Sequence, residues 1–210
     1  MSSTTAQFEN IIIDQDRIFD MIDVDPRRIW CIYLYGSRVY NNIHRDSDWD
    51  FKVLASTQQI HTEYHDGEYN VHVWTPDKFQ DDLWKYRMNA LECIYAPKFA
   101  RVLEKVDYRE KFELDKMRLR KTVLSESHSA WIRGKMKILD GDHYRGTKSL
   151  YHSLRMLIFG LQIIEYDEII DFSESNYYWE EIDNFQSVKW NEIKNEFLPK
   201  KKVLEDMIRE

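Results

Sequence analysis

Apolar positions along the first half of the chain change their period. Phe8, Ile11, Ile12, Phe19 and Ile22 predict a helix across Ala6 to Ile22, and Asp25-Pro26 ends it because the residue before proline disfavours the α region. Ile29 to Tyr35 (IWCIYLY) is β-branched and aromatic and predicts a buried strand that stops at Gly36. Asp48 to Leu54 alternates polar and apolar, which predicts a second strand. Asp66-Gly67 is a turn signal, and Glu68 to Trp74 alternates again. There Glu68, Asn70, His72 and Trp74 share one face, and Tyr69, Val71 and Val73 the other. Thr75-Pro76 then reads as an N-cap and first helical residue, followed by Phe79, Leu83 and Tyr86 along one side of a helix. From about Asp115 onward no strand pattern is convincing. Leu150, Leu154, Leu157, Ile158 and Leu161 form an apolar stripe, and Phe197 to Met207 predicts a last helix. The expectation is an α+β domain over residues 1–115 and a helical domain over 116–210, with no internal repeat.

Composition narrows the class. The chain has 210 residues, of which 43% are apolar, with only 6 Gly and 4 Pro, which excludes collagen-like and Gly/Pro-rich disordered chains. Cys31 and Cys93 lie in apolar contexts and read as buried thiols, not a disulfide framework. Met1 to Asn10 lacks the basic and apolar regions of a signal peptide. The longest apolar stretch, Met156 to Ile164, is far short of the ~20 residues that span a bilayer. The expectation is a soluble, cytoplasmic protein without a membrane partner.

The formal net charge of -7 is a sum of unlike parts. Residues 1–115 carry 14 basic and 21 acidic groups, residues 116–155 carry 10 and 3, and residues 156–210 carry 6 and 13. The whole is no basic nucleic-acid coat, yet the segment 116–155 reads as a phosphate-tracking surface, or as a basic helix with acidic neighbours.

Candidate chemistry concentrates in Tyr33 to Leu54, YLYGSRVYNNIHRDSDWDFKVL. A strand delivers Gly36 to a tight turn where backbone approaches a ligand closely. Ser37 and Arg38 follow at the start of a short helix, whose N–H groups and Ser hydroxyl suit a phosphate. Ser37 is followed by ten residues and then Asp48 and Asp50, expected on one face of the next strand. Paired carboxylates repel unless a cation sits between them, and Mg²⁺ shared with phosphates is the natural cation. A lone Asp-x-Asp is usually a pair of surface acids beside a turn; the ordered set between two strands is what points to phosphoryl transfer.

The spacing Gly36-Ser37, ten residues, Asp48-Trp49-Asp50 resembles the signature of the DNA polymerase β-type nucleotidyltransferase superfamily. The wording around it is similar to a bacterial and viral branch described as predicted RNA-repair nucleotidyltransferases. Asn89-Ala90-Leu91-Glu92 with Ala96-Pro97 resembles the helix and turn after that branch's third strand, and Lys148 to Arg155 (KSLYHSLR) its helical-domain motif. The resemblance spans about residues 29–165. It implies a small mixed β-sheet core flanked by helices, followed by a helical domain. It also implies nucleotide binding by Gly36, Ser37 and Arg38, and Mg²⁺ or Mn²⁺ on Asp48 and Asp50. The superfamily's third carboxylate falls at Asn70, which has no formal charge and is no useful base. Glu68 and His72, expected on the same strand face, are candidate substitutes.

In the helical half, Lys148, His152 and Arg155 are spaced to share one helical face. That face is either solvated or, following the resemblance, aimed at triphosphate or acceptor backbone. The Tyr177-Tyr178-Trp179 cluster is a weaker acceptor candidate, since bases stack on exposed aromatics. The seven His residues show no Cys/His spacing that fits zinc; His61, His65 and His72 read as scattered. The expected activity is transfer of a nucleoside monophosphate from an NTP to a hydroxyl acceptor, with RNA favoured through segment 116–155. A non-catalytic nucleotide- or RNA-binding module, and nucleotidylation of a protein or small molecule, are the competing expectations.

Overall fold

A computed structural model describes residues 13–43 and 47–210. The start of the expected first helix, Ala6 to Ile12, and Asp46 of the motif lie outside them. The chain divides into two compact units. One comprises the described residues up to Trp84 together with Asn89–Phe112; the other comprises Lys85–Met88 and Glu113–Glu210.

The first unit begins with α1 (Gln15–Met21), whose N-cap Asp14 accepts the Arg17 N–H. It continues through β1 (Ile29–Tyr35), β2 (Trp49–Ala55), β3 (His61–His65), β4 (Tyr69–Trp74), α2 (Pro76–Trp84), α3 (Met88–Ile94) and β5 (Arg101–Glu104). The strands form one sheet in the order β3-β4-β2-β1-β5. Only the β2–β4 pair is parallel, so the sheet is mixed and the fold is α+β. Two strands were not expected. β3 is short and exposed on alternate residues, and Arg101–Glu104 is a four-residue edge, so neither has the apolar run that marks a buried strand.

Strand alternation gives the sheet two unlike faces. Ile32, Leu34, Phe51, Val53, Val71 and Val73 fill one, all buried. The other carries polar rows set by register: Tyr35 opposite Asp50 and Asn70, and Lys52 opposite His72 and Glu63. Lys52 is 3% exposed, its Nζ donating to the Asn89 carbonyl at 2.8 Å and lying 4.1 Å from the Trp74 ring centre. The buried Glu92 carboxylate accepts from the Tyr40 hydroxyl. Asn89 and Glu92, singled out by their wording, thus dock α3 on the site-bearing strands.

The second unit is helical: α4 (Lys116–Leu139), α5 (His143–Tyr166), α6 (Asn176–Asp183) and α7 (Trp190–Arg209). Asp115 and Asp142 cap the two long helices by accepting their first amide hydrogens. At Gly146 a Cβ would stand 3.0 Å from the Ile138 nitrogen and 3.1 Å from the Gly134 carbonyl, so α4 and α5 approach backbone to backbone there. Deeper in this helix pair Ser127 and Ser153 hydrogen-bond at 2.9 Å, both fully buried. Tyr178 and Trp179 are buried, with Trp179 edge-on to Tyr151 at 5.4 Å, so two of the three clustered aromatics belong to the core. Among the described residues no helix is long and apolar enough to cross a membrane.

Candidate functional site

β1 ends at Tyr35, and the chain enters a 3₁₀ turn, Gly36–Arg38, with no side-chain hydrogen bond from the residue before it. The Gly36 carbonyl accepts from Val39 and Tyr40 at 3.0 and 3.2 Å, which closes the turn; its leading amides have no partner within the turn itself. Gly36 has φ +81°, and a Cβ there would overlap the Asp50 carboxylate, with the Asp50 Cγ at 3.2 Å. Glycine is therefore required twice, for the backbone angle and for the approach of the carboxylate.

Asp50 faces this turn from β2, directly opposite Tyr35 and in register with Asn70 on β4. The Asn70 Nδ2 donates to Asp50 Oδ1 at 3.0 Å. The two residues predicted as one site are thus neighbours, but the amide satisfies one carboxylate oxygen that a third carboxylate would repel. The Tyr35 hydroxyl is pushed well above its usual pKa, first by burial and then by the Asp50 charge. Asp48 precedes β2, which begins at Trp49, so it stands outside the regular alternation that was expected to align it with Asp50. Asp50 is the carboxylate placed against the turn, and Asn70 bonds it as a donor.

Two predicted site residues turn elsewhere. Arg38 was expected on nucleotide, but its Nε and an Nη donate to the Asp48 and Ser47 carbonyls at 3.2 and 2.7 Å. Its guanidinium lies 3.9 Å over Trp49, on the face opposite Asp50. It ties the Gly-Ser turn to the acidic segment and acts as a positioning residue. Glu68 was expected beside Asn70. Instead its carboxylate pairs with Arg17 at 2.8 Å, and Arg17 stacks 4.0 Å over Tyr69, which points away from Asn70. The cause is the turn: β4 begins only at Tyr69, so Glu68 belongs to the connection and not to the strand's alternation. Arg17 also bonds Asp66, and Asp66 accepts the Tyr69 N–H, which fixes this corner.

The β3–β4 hairpin brings together residues that sequence spacing had kept apart. Glu63 lies opposite His72, and His61 opposite Trp74. His61 Nε2 is 3.2 Å from His72 Nδ1, and the Glu63 Oε1 is 3.3 Å from His72 and 3.6 Å from His61. Zinc motifs read along one chain segment miss this set; the signal available was a His-x-Glu strand facing a His across a turn.

In the helical unit, Lys148 and His152 line a cavity of about 400 Å³ with Ile132, Arg133, Met136, Lys137, Arg145 and Ser149. Arg155 is not among them. It is 6% exposed, with its guanidinium 5.8 and 5.7 Å from the Tyr151 and Phe159 rings, so the predicted basic face dips into the core within one turn. His152 is held well below its usual pKa, first by burial and then by the charges of Arg155, Lys148 and Arg133. Asp142 is the acid at this cluster, 3.5 Å from Arg145 and 3.9 Å from Lys137.

No known protein family matches the sequence, and no curated protein matches it. Among solved structures, the chain is similar to a spectinomycin adenyltransferase from Enterococcus faecialis, determined with ATP and spectinomycin. The identity is 12% over 93% of this chain and 98% of that one, with a TM-score of 0.46. It is also similar to a nucleotidyltransferase-like protein from Exiguobacterium sibiricum, at 10% identity over 88% of this chain and 70% of that one, with a TM-score of 0.32.

Proposed function

We propose that the chain is a metal-dependent nucleotidyltransferase that moves a nucleoside monophosphate from an NTP to a hydroxyl of RNA, releasing pyrophosphate. The observation that carries this reading is the meeting of Gly36 and Asp50: a left-handed turn glycine so close to a carboxylate that an added Cβ would have to displace it. In the reaction the acceptor oxygen bonds the α-phosphorus, the bond to the β-phosphate oxygen breaks, and the hydroxyl proton passes to water. The leading amides of Gly36–Arg38 and the Ser37 hydroxyl hold phosphate oxygens. A divalent ion such as Mg²⁺ or Mn²⁺ on Asp48 and Asp50 would supply positive charge against the triphosphate and the leaving pyrophosphate. Asn70 fixes the Asp50 carboxylate through its hydrogen bond. RNA is supported as acceptor by the cations around the helical cavity, where Lys148 and Arg133 offer charged donors to backbone phosphates beside the neutral His152.

A second reading has its own observation. Asn70 offers no base and Glu68 is engaged by Arg17, which favours a module that binds nucleotide without turnover. The experiment is transfer from each α-labelled NTP to RNA with Mg²⁺ or Mn²⁺, run beside protein and small-molecule hydroxyl acceptors. Labelled RNA that disappears in Asp48→Ala supports the enzyme. Tight NTP binding by calorimetry with no transfer to any acceptor favours the module, and label on another acceptor replaces RNA.

A further inference from the structure

We infer that His61, Glu63 and His72 form a binding site for one divalent transition-metal ion of the zinc class, independently of what Asp48 and Asp50 bind. Each residue offers one ligand atom, and these three atoms lie within 4.8 Å of one another. Their donor types and separations both fit that class. Ligand atoms about 2.0–2.1 Å from a tetrahedral ion stand about 3.3–3.4 Å apart. An octahedral Mg²⁺ shell brings adjacent ligands to about 3.0 Å. The separations here are 3.2, 3.3 and 3.6 Å, centred on the tetrahedral value. Two imidazoles with one carboxylate are also the donor set of zinc, whereas magnesium prefers oxygen alone.

The three contacts are not all hydrogen bonds: the His61–Glu63 separation of 3.6 Å is beyond hydrogen-bond distance. Each ring nitrogen carries at most one hydrogen and the carboxylate carries none, so three mutual contacts would have to share two hydrogens. If both nitrogens point a hydrogen at Glu63, neither keeps a lone pair for the other across their 3.2 Å contact. A single cation satisfies all three lone pairs.

The rings are already placed. They lie 8° from parallel with centres 5.5 Å apart. Trp74 is set edge-on against His61 at 5.6 Å, and Tyr35 against His72 at 6.0 Å. Lys52 faces His72 across β2, but its ammonium is directed to the Asn89 carbonyl, and Glu63 supplies the compensating negative charge. Three protein ligands leave the fourth position to water or an exogenous ligand, and the partly exposed side chains of His61 and Glu63 leave a route to it.

The test uses the full chain, stripped with EDTA and titrated with Zn²⁺ alone and, in parallel, with Co²⁺ alone. One ion per chain and the strong visible absorption of four-coordinate cobalt are expected. Glu63→Gln and His61→Ala each lower the affinity by more than the roughly 10–100-fold that loss of an outer-shell partner costs. His65→Ala, on the same exposed face of β3, keeps it, and so does Asp48→Ala, which separates this ion from one at the phosphate turn. Glu63 is exposed, so its variant folds even where a His72 variant does not. Absence of stoichiometric binding in the wild type overturns the site, as does equal affinity in Glu63→Gln and His61→Ala, or equal loss in His65→Ala.

Discussion

The two units treat charge in opposite ways. On the sheet, these charged and polar groups have specific partners: Asp50 has Asn70, Glu68 and Asp66 share Arg17, and Lys52 has a carbonyl. In the helical unit Arg133, Lys137, Arg145 and Lys148 gather around one cavity, with Asp142 as the acid beside them. Matched pairs resist salt and respond to what enters between them, whereas an excess of one sign attracts a polyanion and weakens as salt screens it. The sheet site should therefore answer to metal and nucleotide, and the helical cavity to ionic strength.

The largest expected effect tests the helical side of that contrast. Reversing two exposed charges, Arg133→Glu with Lys137→Glu, lowers RNA affinity by tenfold or more and makes the salt slope shallower by about two, read by fluorescence anisotropy at several salt concentrations. NTP binding stays unchanged; a parallel loss there breaks the contrast. Lys135 is a poorer target than its position in the basic run suggests, because its ammonium lies 6.0 Å from the Trp190 ring centre and is absent from the cavity wall.

On the sheet side, Gly36→Ala forces a positive φ and displaces the Asp50 carboxylate, costing about 1–2 kcal/mol in urea unfolding together with NTP binding. RNA affinity of the same variant serves as the control and should hold. Asn70→Asp replaces a hydrogen bond with two facing carboxylates. A loss of about 1 kcal/mol lowers Tm by about 2–4 °C in EDTA, and Mg²⁺ should restore it. A Tm indifferent to Mg²⁺ would place Asp50 outside any metal site.

The smallest effect is a pH dependence in the helical unit. His152 is held neutral in the folded state, with its pKa well below the ordinary 6.5. As pH falls below 6.5 the unfolded chain takes up the proton first, so this contribution to stability is present above 6.5 and is lost toward the folded pKa. His152→Gln removes the proton site, and its Tm should fall less than that of the wild type between pH 7.5 and 5.5.

The sheet's central strands and the Gly36 turn were legible because their signals are local: an apolar run, a glycine, a fixed interval to Asp-x-Asp. The docking residues Asn89 and Glu92 were legible as wording without a role. What was not legible depends on where an element starts or on what lies across it. Glu68 obeys the alternation on paper, but β4 begins one residue later and Arg17, 51 positions away, claims the carboxylate. Arg38 looks like a phosphate ligand until Trp49 stands beneath it. Arg155 has the spacing of a surface face, yet a 24-residue helix packed on its neighbours buries one end of such a face and exposes the other. His61 and His72 meet only through cross-strand register, which no interval along the chain encodes.

The strand order also sets a sequence of events in folding. β3 and β4 form an antiparallel hairpin closed at Asp66-Gly67, a local contact of the kind that assembles in about 1–10 μs. The β2–β4 pairing is parallel and joins Asp50 to Asn70 across 20 positions with β3 lying between, so it waits for a wider loop to close. In pulse-labelled hydrogen exchange, amides that join β3 to β4 gain protection before those that lock β2 against β4. The histidine pair is then in place while the carboxylate still lacks its amide partner, and an ion captured by the hairpin would steady the template on which the phosphate turn is finished.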